Sequence, residues 1–246
     1  MLSFFMNSLK KSVRIINPEF QIRLSGEHVR HWMNLYASAI RNAEPQLTEL
    51  DAAIGDADHG ANMRRGMDAV ADKLHELALA DLSGQLRVVS TTLLSAVGGA
   101  SGPLYGAFFL QCSHATLHKP DLGLADLTAA IEAGYRGVVQ LGKAVVGDKT
   151  MVDTLAAAAG SLRSSCNHHA AFPEAVKACQ KAANLAAEGT IPMIARKGRS
   201  SYIGDRSAGH QDPGATSAAM LFDTLAQVVS SLSPSTHRNP PRPLLL

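Results

Sequence analysis

The sequence predicts an all-α protein whose helices run up and down and are joined by short, glycine-rich turns. Apolar residues recur at intervals of three and four through most of the chain, which places them on one face of a helix. Strict alternation of apolar and polar residues, the pattern of a half-buried strand, is not found. Of 246 residues, 46% are hydrophobic but only 5% aromatic, which favours a core of closely packed helices. We expect one domain with the architecture of an up-and-down bundle.

The first helix is predicted from apolar residues at helical spacing between Val29 and Ile40, with Ser25 available as its N-cap. Pro45 lies beyond its predicted end, because proline lacks a backbone donor and clashes with the preceding turn. A short second helix is predicted over residues 46–53, and it carries Asp51 in its last turn.

Seven further helices follow from the same spacing and from capping residues. The predicted spans are 63–77, 86–97, 103–112 opened by Pro103, 126–142 capped by Asp126 and closed by Gly142, a helix capped by Thr150 or Asp148 and ending at 162, a helix bracketed by Pro173 and Gly189, and 213–232 opened by Pro213.

An acidic turn within residues 50–62 is the most informative segment. It places Asp51, Asp56 and Asp58 within eight positions, around Gly55 and Gly60. Three crowded carboxylates raise one another's pKa unless a cation neutralises them, and hard divalent ions such as Mg²⁺ prefer carboxylate oxygens. The glycines allow the tight turn that brings the carboxylates onto one ion. A solvated acidic turn with an aspartate helix cap is the alternative interpretation.

Three more glycine-rich turns, at 98–103, 147–151 and 209–216, each stand just ahead of a predicted helix. Exposed amide groups at a helix start, next to glycines that let a ligand approach the backbone, bind phosphate. If the helices alternate in direction, several of these turns gather at one end of the bundle and form a nucleotide site.

Each turn also has another interpretation. Residues 142–150 almost match a phosphate-binding P-loop, but Asp148 displaces Lys149 from its position and no strand precedes the segment. Residues 99–101 suggest the nucleophile turn of a serine hydrolase, but Pro103 stands where that motif requires glycine. Simple helix capping by Ser101 and Thr150 is the remaining alternative.

Composition excludes several classes of function. A net charge of +2 is too small for a nucleic-acid-binding protein, and no apolar run reaches membrane-spanning length. Cys112, Cys166 and Cys179 lack metal-binding spacing and are expected to be reduced thiols in a cytoplasmic protein. Residues 1–24 are interpreted as an N-terminal extension of unknown role, 25–232 as the helical nucleotide-binding domain, and 233–246 as a disordered, proline-rich tail.

Taken together, these motifs resemble the L subunit of dihydroxyacetone kinases, which is equivalent to the C-terminal nucleotide-binding domain of the single-chain enzymes. The resemblance covers roughly residues 24–231. Five segments match in the same order: 50–67, 95–106, 147–151, 195–199 and 209–216.

The resemblance implies an eight-helix antiparallel barrel with a nucleotide, ADP or ATP, bound across its mouth. It implies that Asp51, Asp56 and Asp58 hold two Mg²⁺ ions that bridge the phosphates. Arg199 is expected to contact phosphate and to be catalytic, whereas Arg64, Arg65, Arg196 and Arg206 are interpreted as solvated surface. The implied nucleotide contacts are His59, Gly60, Ala61, Asn62, Ala100, Ser101, Gly142, Met151, Arg199, Gln211, Asp212 and Pro213.

The function implied is that of one component of a two- or three-component kinase. A separate K subunit would hold dihydroxyacetone, and this chain, inactive on that substrate alone, would pass phosphate to it. The phosphate would come from exchanging ATP, or from ADP rephosphorylated in place by a phosphohistidine of a third, M subunit. A non-catalytic ADP-dependent adaptor, a kinase subunit for a related keto-sugar or sugar acid, and a hydrolase acting through Ser101 are the alternatives. The sequence leaves a homodimer open.

Overall fold

The computed structural model describes residues 22–77 and 81–232, and these residues form eight α-helices with little other regular structure. Two-residue strands, β1 (Leu24–Ser25) and β2 (Asp121–Leu122), pair antiparallel, and a 3-10 helix spans Arg199–Ser207. The α-helices are α1 (Gly26–Ile54), α2 (His59–Glu76), α3 (Leu82–Ala96), α4 (Ser101–Ala115), α5 (Leu124–Gly142), α6 (Met151–Asn167), α7 (Phe172–Glu188) and α8 (Pro213–Leu232).

The helices form a closed antiparallel ring. Each helix packs against the next one in the chain, and α1 packs against α8, so that the ring has no open edge. The all-α, up-and-down prediction is therefore confirmed. Four connections fall at one end of the ring, and we call them together the mouth of the barrel: residues 55–58, 97–100, 143–150 and 189–212.

The core is built around α8, which is buried over most of its length. The indole Nε1 of Trp32 donates to the carbonyl of Leu221 at 2.8 Å and so fastens α1 to α8. Small residues let other helices approach closely: a Cβ on Gly134 of α5 would lie 2.6 Å from the ring of Phe108 on α4. Close packing of this kind follows from an alanine- and glycine-rich sequence and agrees with the predicted core.

Pro45 does not end the first helix, and the prediction of two helices at this point was wrong. The backbone stays helical from Gly26 to Ile54, with Pro45 on the exposed side. The buried face continues through Ile40, Leu47 and Ile54, so tertiary packing outweighs a penalty of about 3 kcal/mol for an interior proline.

The other boundaries lie close to their predicted positions. Ser25 caps α1 by accepting a hydrogen bond from the His28 amide at 3.5 Å, and Thr150 caps α6. Asp126 is the third residue of α5 rather than its N-cap, which is Gly123; its carboxylate accepts from the Gly123 amide at 3.2 Å. Residues 1–21 of the predicted extension and the whole predicted tail lie outside the described residues. Within the part that is described, no helix is both long and apolar enough to cross a membrane.

Candidate functional site

The acidic turn at the mouth is organised by the buried carboxylate of Asp51, in the last turn of α1. Its Oδ2 accepts hydrogen bonds from the amides of Asp58, at 2.8 Å, and of His59, at 3.1 Å. Asp51 therefore fixes the start of α2. Gly55 is required beside it, because a Cβ there would lie 2.1 Å from Oδ1.

Asp51, Asp56 and Asp58 come together as their spacing predicts. Each offers a carboxylate oxygen, and the three oxygens lie within 4.8 Å of one another. Burial raises the pKa of Asp58, and the charge of Asp56 and then that of Asp51 raise it further. A hard divalent cation would relieve this repulsion, so the donor set fits Mg²⁺.

His59, the first residue of α2, is buried and hydrogen-bonded on both ring nitrogens. Nδ1 lies 3.2 Å from Oγ of Ser101, and Nε2 lies 2.9 Å from Oγ of Ser217. The Tyr105 hydroxyl lies 2.8 Å from Ser217 Oγ, and the Tyr36 hydroxyl donates to the Ser217 carbonyl at 3.0 Å. Burial lowers the pKa of His59 to about 4, so the imidazole is neutral near pH 7. This network ties the starts of α2 and α4 to the first turns of α8.

The starts of α2 and α4 meet as predicted for a phosphate-binding end. Asn62 is buried beside the 97–100 turn, since a Cβ on Gly98 would lie 3.0 Å from its Oδ1. Ser101 opens α4 directly after Ala100. Gly60 packs against α1, where a Cβ would lie 2.3 Å from the Glu44 carbonyl. Ala61 is half-buried on the first turn of α2.

The starts of α6 and α8 form a second group at the mouth. Met151 is buried at the first position of α6, and its Cβ lies 3.8 Å from the position a Cβ on Gly214 would take. Asp212 precedes Pro213 and accepts from the Ala215 amide at 2.7 Å, so it caps α8. Burial raises the pKa of Asp212 to about 7.

Two further predicted contacts lie at the ends of this group. The Gln211 side chain donates to the Thr216 hydroxyl at 2.9 Å, within the first turn of α8. Gly142 is the last residue of α5, and a Cβ there would lie 3.0 Å from Leu104 of α4. All the nucleotide-contact residues that the resemblance implies therefore lie at or beside the mouth.

Lys149 is fully buried and does not project toward a phosphate as a P-loop lysine does. Its Nζ donates to the carbonyls of Thr190, at 2.7 Å, and of His210, at 2.5 Å. The segment that precedes it is a turn at the end of α5, not a strand. The structure thus agrees with rejecting the P-loop. Lys149 instead holds the 189–212 segment against the start of α6.

Arg199 opens the 3-10 helix and forms an ion pair with Asp56, one of the three clustered carboxylates. The guanidinium remains about half exposed, at 56% of the side chain. Arg199 is therefore brought to the acidic cluster, as its expected role requires, but its partner in the structure is a carboxylate. Contact with phosphate stays a prediction.

The sequence analysis did not single out two residues of the mouth, Tyr105 and Ser217, and it named two others, Lys149 and Arg65, without the contacts that they make. Ser217 carries a signal, because it is one of a few polar residues on a mostly apolar, buried stretch of α8. Lys149 carries a weaker signal, a lysine inside a glycine-rich turn. The role of Arg65 was hidden, since its side chain is exposed and has the pattern of ordinary helix surface.

The family model of the DAK2 domain matches residues 53–227, which include most of this site. The chain belongs to the DAK2 domain family. Among its relatives is the ADP-binding subunit DhaL of the PEP-dependent dihydroxyacetone kinase of Escherichia coli K12. That protein is 44% identical over 203 residues, which are 82% of this chain and 97% of the relative. The corresponding subunit of the PTS-dependent kinase of Lactococcus lactis is 40% identical over 199 residues, 81% of this chain and 95% of the relative.

Longer proteins contain a region that is similar to this chain. Human triokinase/FMN cyclase is 34% identical over 195 residues, 79% of this chain but only 34% of that protein. The crystal structure of the dihydroxyacetone kinase from C. freundii in complex with AMP-PNP and Mg²⁺ superimposes with a TM-score of 0.65 at 26% identity. The superimposed region covers 88% of this chain and 36% of the chain of that enzyme. The barrel thus occurs both as a separate subunit and as part of a larger chain.

Proposed function

We propose that this chain is the nucleotide-binding, phosphoryl-transferring subunit of a multi-component dihydroxyacetone kinase. The observation that carries the proposal is the cluster of Asp51, Asp56 and Asp58 beside the starts of four helices. Its relatives of similar length are ADP-binding subunits of dihydroxyacetone kinases. The related enzyme that was crystallised with AMP-PNP and Mg²⁺ supports the same choice of nucleotide and metal.

The three aspartates would hold the metal. The proposed occupant is Mg²⁺, and the resemblance to the family implies two ions. When bound, it would neutralise the charge of the nucleotide phosphates, which is the main requirement of phosphoryl transfer. The protein residues hold this arrangement in advance: the Asp51 carboxylate is fixed by two amides. Pre-set ligands of this kind lose little entropy on binding.

The helix starts supply the other half of the phosphate site. Amides at the first turns of α2 and α4 point toward the mouth, and the neutral His59 holds Ser101 without adding charge. Arg199 is proposed to exchange Asp56 for phosphate when nucleotide and metal bind. Its forked guanidinium suits phosphate oxygens, and it would then stabilise charge that develops during transfer.

The acceptor is proposed to be dihydroxyacetone held by a separate K subunit that covers the mouth. Transfer needs donor and acceptor in contact, so the partner must dock where the nucleotide phosphates lie. Most of the exposed large hydrophobic side chains that the structure describes flank this end, as a docking face requires. They are Leu94, Leu141, Val145, Val146, Ile191, Ile194 and Tyr202.

The phosphate source is proposed to be a phosphohistidine subunit that rephosphorylates bound ADP, as the names of the PEP- and PTS-dependent relatives suggest. Mass spectrometry of the protein purified under native conditions tests this point. Tightly retained ADP is expected, whereas nucleotide that exchanges freely would favour direct use of ATP.

The metal site is tested by calorimetric titration with AMP-PNP in Mg²⁺ and in EDTA. We expect binding only with the metal, and strong weakening in Asp56→Asn and in Asp58→Asn, whose helical circular dichroism should be unchanged. Undiminished affinity in EDTA would overturn the metal site.

Catalysis is tested by mixing the chain with a K subunit, dihydroxyacetone and a phosphate donor. The chain alone should produce no dihydroxyacetone phosphate, and the mixture should produce it only with Mg²⁺. Turnover by the chain alone would show that it has its own sugar site. Nucleotide binding without turnover in any mixture would favour the adaptor function.

A further inference from the structure

Arg65 joins two of the turns that form the mouth. It lies on α2, and its Nη2 donates to Oδ1 of Asn62, one turn earlier, at 2.6 Å. Its Nε donates to the carbonyl of Ala96, the last residue of α3, at 2.9 Å. One planar guanidinium therefore holds both the start of α2 and the end of the helix that leads into the 97–100 turn.

The contact determines how the amide of Asn62 is oriented. A guanidinium only donates hydrogen bonds, so the atom of Asn62 that faces Arg65 must be the oxygen. The NH₂ group is thereby turned away from Arg65 and is available as a donor inside the mouth. There Asn62 lies directly against Asp58: its backbone amide donates to the Asp58 carbonyl at 2.9 Å, and its side chain lowers the pKa of the Asp58 carboxyl, against the net rise that burial causes. A chain of contacts thus runs from Arg65 through Asn62 to Asp58.

The bond to Ala96 adds a second constraint. The 97–100 turn lies so close to Asn62 that a Cβ on Gly98 would come within 3.0 Å of its Oδ1. Anchoring the Ala96 carbonyl holds this turn at the distance that Asn62 requires. A lysine at position 65 has one compact donor group and no fork, so it cannot keep both bonds in the same plane.

We propose that Arg65 is a positioning residue for the magnesium nucleotide, acting through the Asn62 amide that it orients. The inference rests on the proposed function, because it assumes that Asp58 and Asn62 face metal and phosphate. Residues that orient the ligands of a metal commonly change affinity by about 10- to 100-fold when altered. We expect Arg65→Lys to raise the Kd for Mg²⁺–AMP-PNP by about tenfold.

Arg64→Lys is the matched control. It changes the neighbouring arginine on the same helix and also keeps the charge, but Arg64 pairs with Glu44, at 2.8 Å, and with Asp68, at 3.7 Å. Its Kd for Mg²⁺–AMP-PNP should stay within about twofold of wild type, as expected for surface ion pairs. Equal losses in the two variants would overturn the proposal.

A double-mutant cycle separates positioning from simple stabilisation. If Arg65 acts through Asn62, then Arg65→Lys should change the Kd less than about twofold in an Asn62→Ala background. A purely structural role would give the same fold loss in both backgrounds and would overturn the proposal.

The side-chain amide of Asn62 can also be followed by NMR in the nucleotide-free protein. Wild type and Arg64→Lys should show a fixed, slowly exchanging amide, and Arg65→Lys an averaged one. A mobile amide in wild type would refute this inference even if nucleotide binds. A fixed amide in a wild-type protein that binds no Mg²⁺–AMP-PNP would refute the proposed function and, with it, the role assigned to Arg65.

Discussion

Lys149 offers the clearest test of how the mouth is held together. Its side chain is completely buried, and its ammonium donates to the carbonyls of Thr190 and His210, which belong to two different parts of the 189–212 segment. Lys149→Met keeps the length and the apolar stem of the side chain but removes both hydrogen bonds. The Thr190 carbonyl would keep the Met193 amide as a donor, at 3.1 Å, and the partly buried His210 carbonyl would lose its charged donor.

The expected loss follows from those two carbonyls. A hydrogen bond from a charged donor contributes about 1.5–3 kcal/mol, so the two bonds together contribute about 3–6 kcal/mol. Part of this is offset, because burial disfavours the charged ammonium and lowers the pKa of Lys149. We therefore expect a net loss of about 3 kcal/mol in the free energy of unfolding, which for a domain of this size lowers Tm by about 6–12 °C.

The assay is urea unfolding followed by circular dichroism, with a thermal melt beside it. Lys143→Met is the control: both lysines have a positive φ, 62° at Lys149 and 53° at Lys143, but Lys143 is exposed, and we expect a change within about 0.5 kcal/mol. A loss below about 1 kcal/mol in Lys149→Met would show that Lys149 does not hold the segment.

Three further outcomes follow from the same geometry. The pKa of His59 is about 4 in the fold against 6.5 normally, so the unfolded chain binds more protons than the folded one between these pH values. The free energy of unfolding of the wild type should therefore fall by about 3 kcal/mol relative to that of His59→Gln as pH drops from 6.5 to 4. A difference between the two proteins that does not change with pH would contradict this. Gly55→Ala should displace the Asp51 carboxylate and abolish Mg²⁺-dependent nucleotide binding, whereas Gly160→Ala, in open space on α6, should stabilise by about 0.5–1 kcal/mol; normal binding by Gly55→Ala would count against the cluster. With the complete partner system, Arg199→Lys should lower kcat with KM nearly unchanged, and near-wild-type kinetics would remove Arg199 from the site.

Local sequence patterns predicted most of the helices, because the capping residues and prolines that mark helix ends act on their near neighbours in the chain. Ser25 and Thr150 cap helices through their own side chains, and Pro213 opens α8 where the prediction placed it. Pro45 led to a wrong prediction of the helix end, because the penalty for an interior proline is local, whereas the packing that overcomes it comes from other helices. The continuous spacing of Ile40, Leu47 and Ile54 through the proline was the available signal against ending the helix.

The candidate site likewise contains residues that a local pattern predicts and contacts that only the complete fold creates. Asp51, Asp56 and Asp58 are close in sequence, so their meeting could be predicted from one segment. The contact between His59 and Ser217 joins residues 158 positions apart, and no local pattern indicates it. Long-range hydrogen bonds of this kind depend on how the ring closes, which the sequence alone predicts only through the resemblance to a family.

The direction of α1 and α8 has a consequence for how this barrel can be joined to other domains. α1 ends at the mouth and α8 begins there, so the start of α1 and the end of α8 both lie at the opposite end of the ring. With about 1.5 Å of rise per residue, the 20 residues of α8 place that end about 30 Å from the mouth. A domain joined to the chain at the end opposite the mouth leaves the nucleotide site open to solvent. If that domain carries the acceptor, the linker must let it reach around the barrel to the mouth. The length of the linker would therefore set the local concentration of acceptor at the mouth, and with it the rate of transfer within one chain.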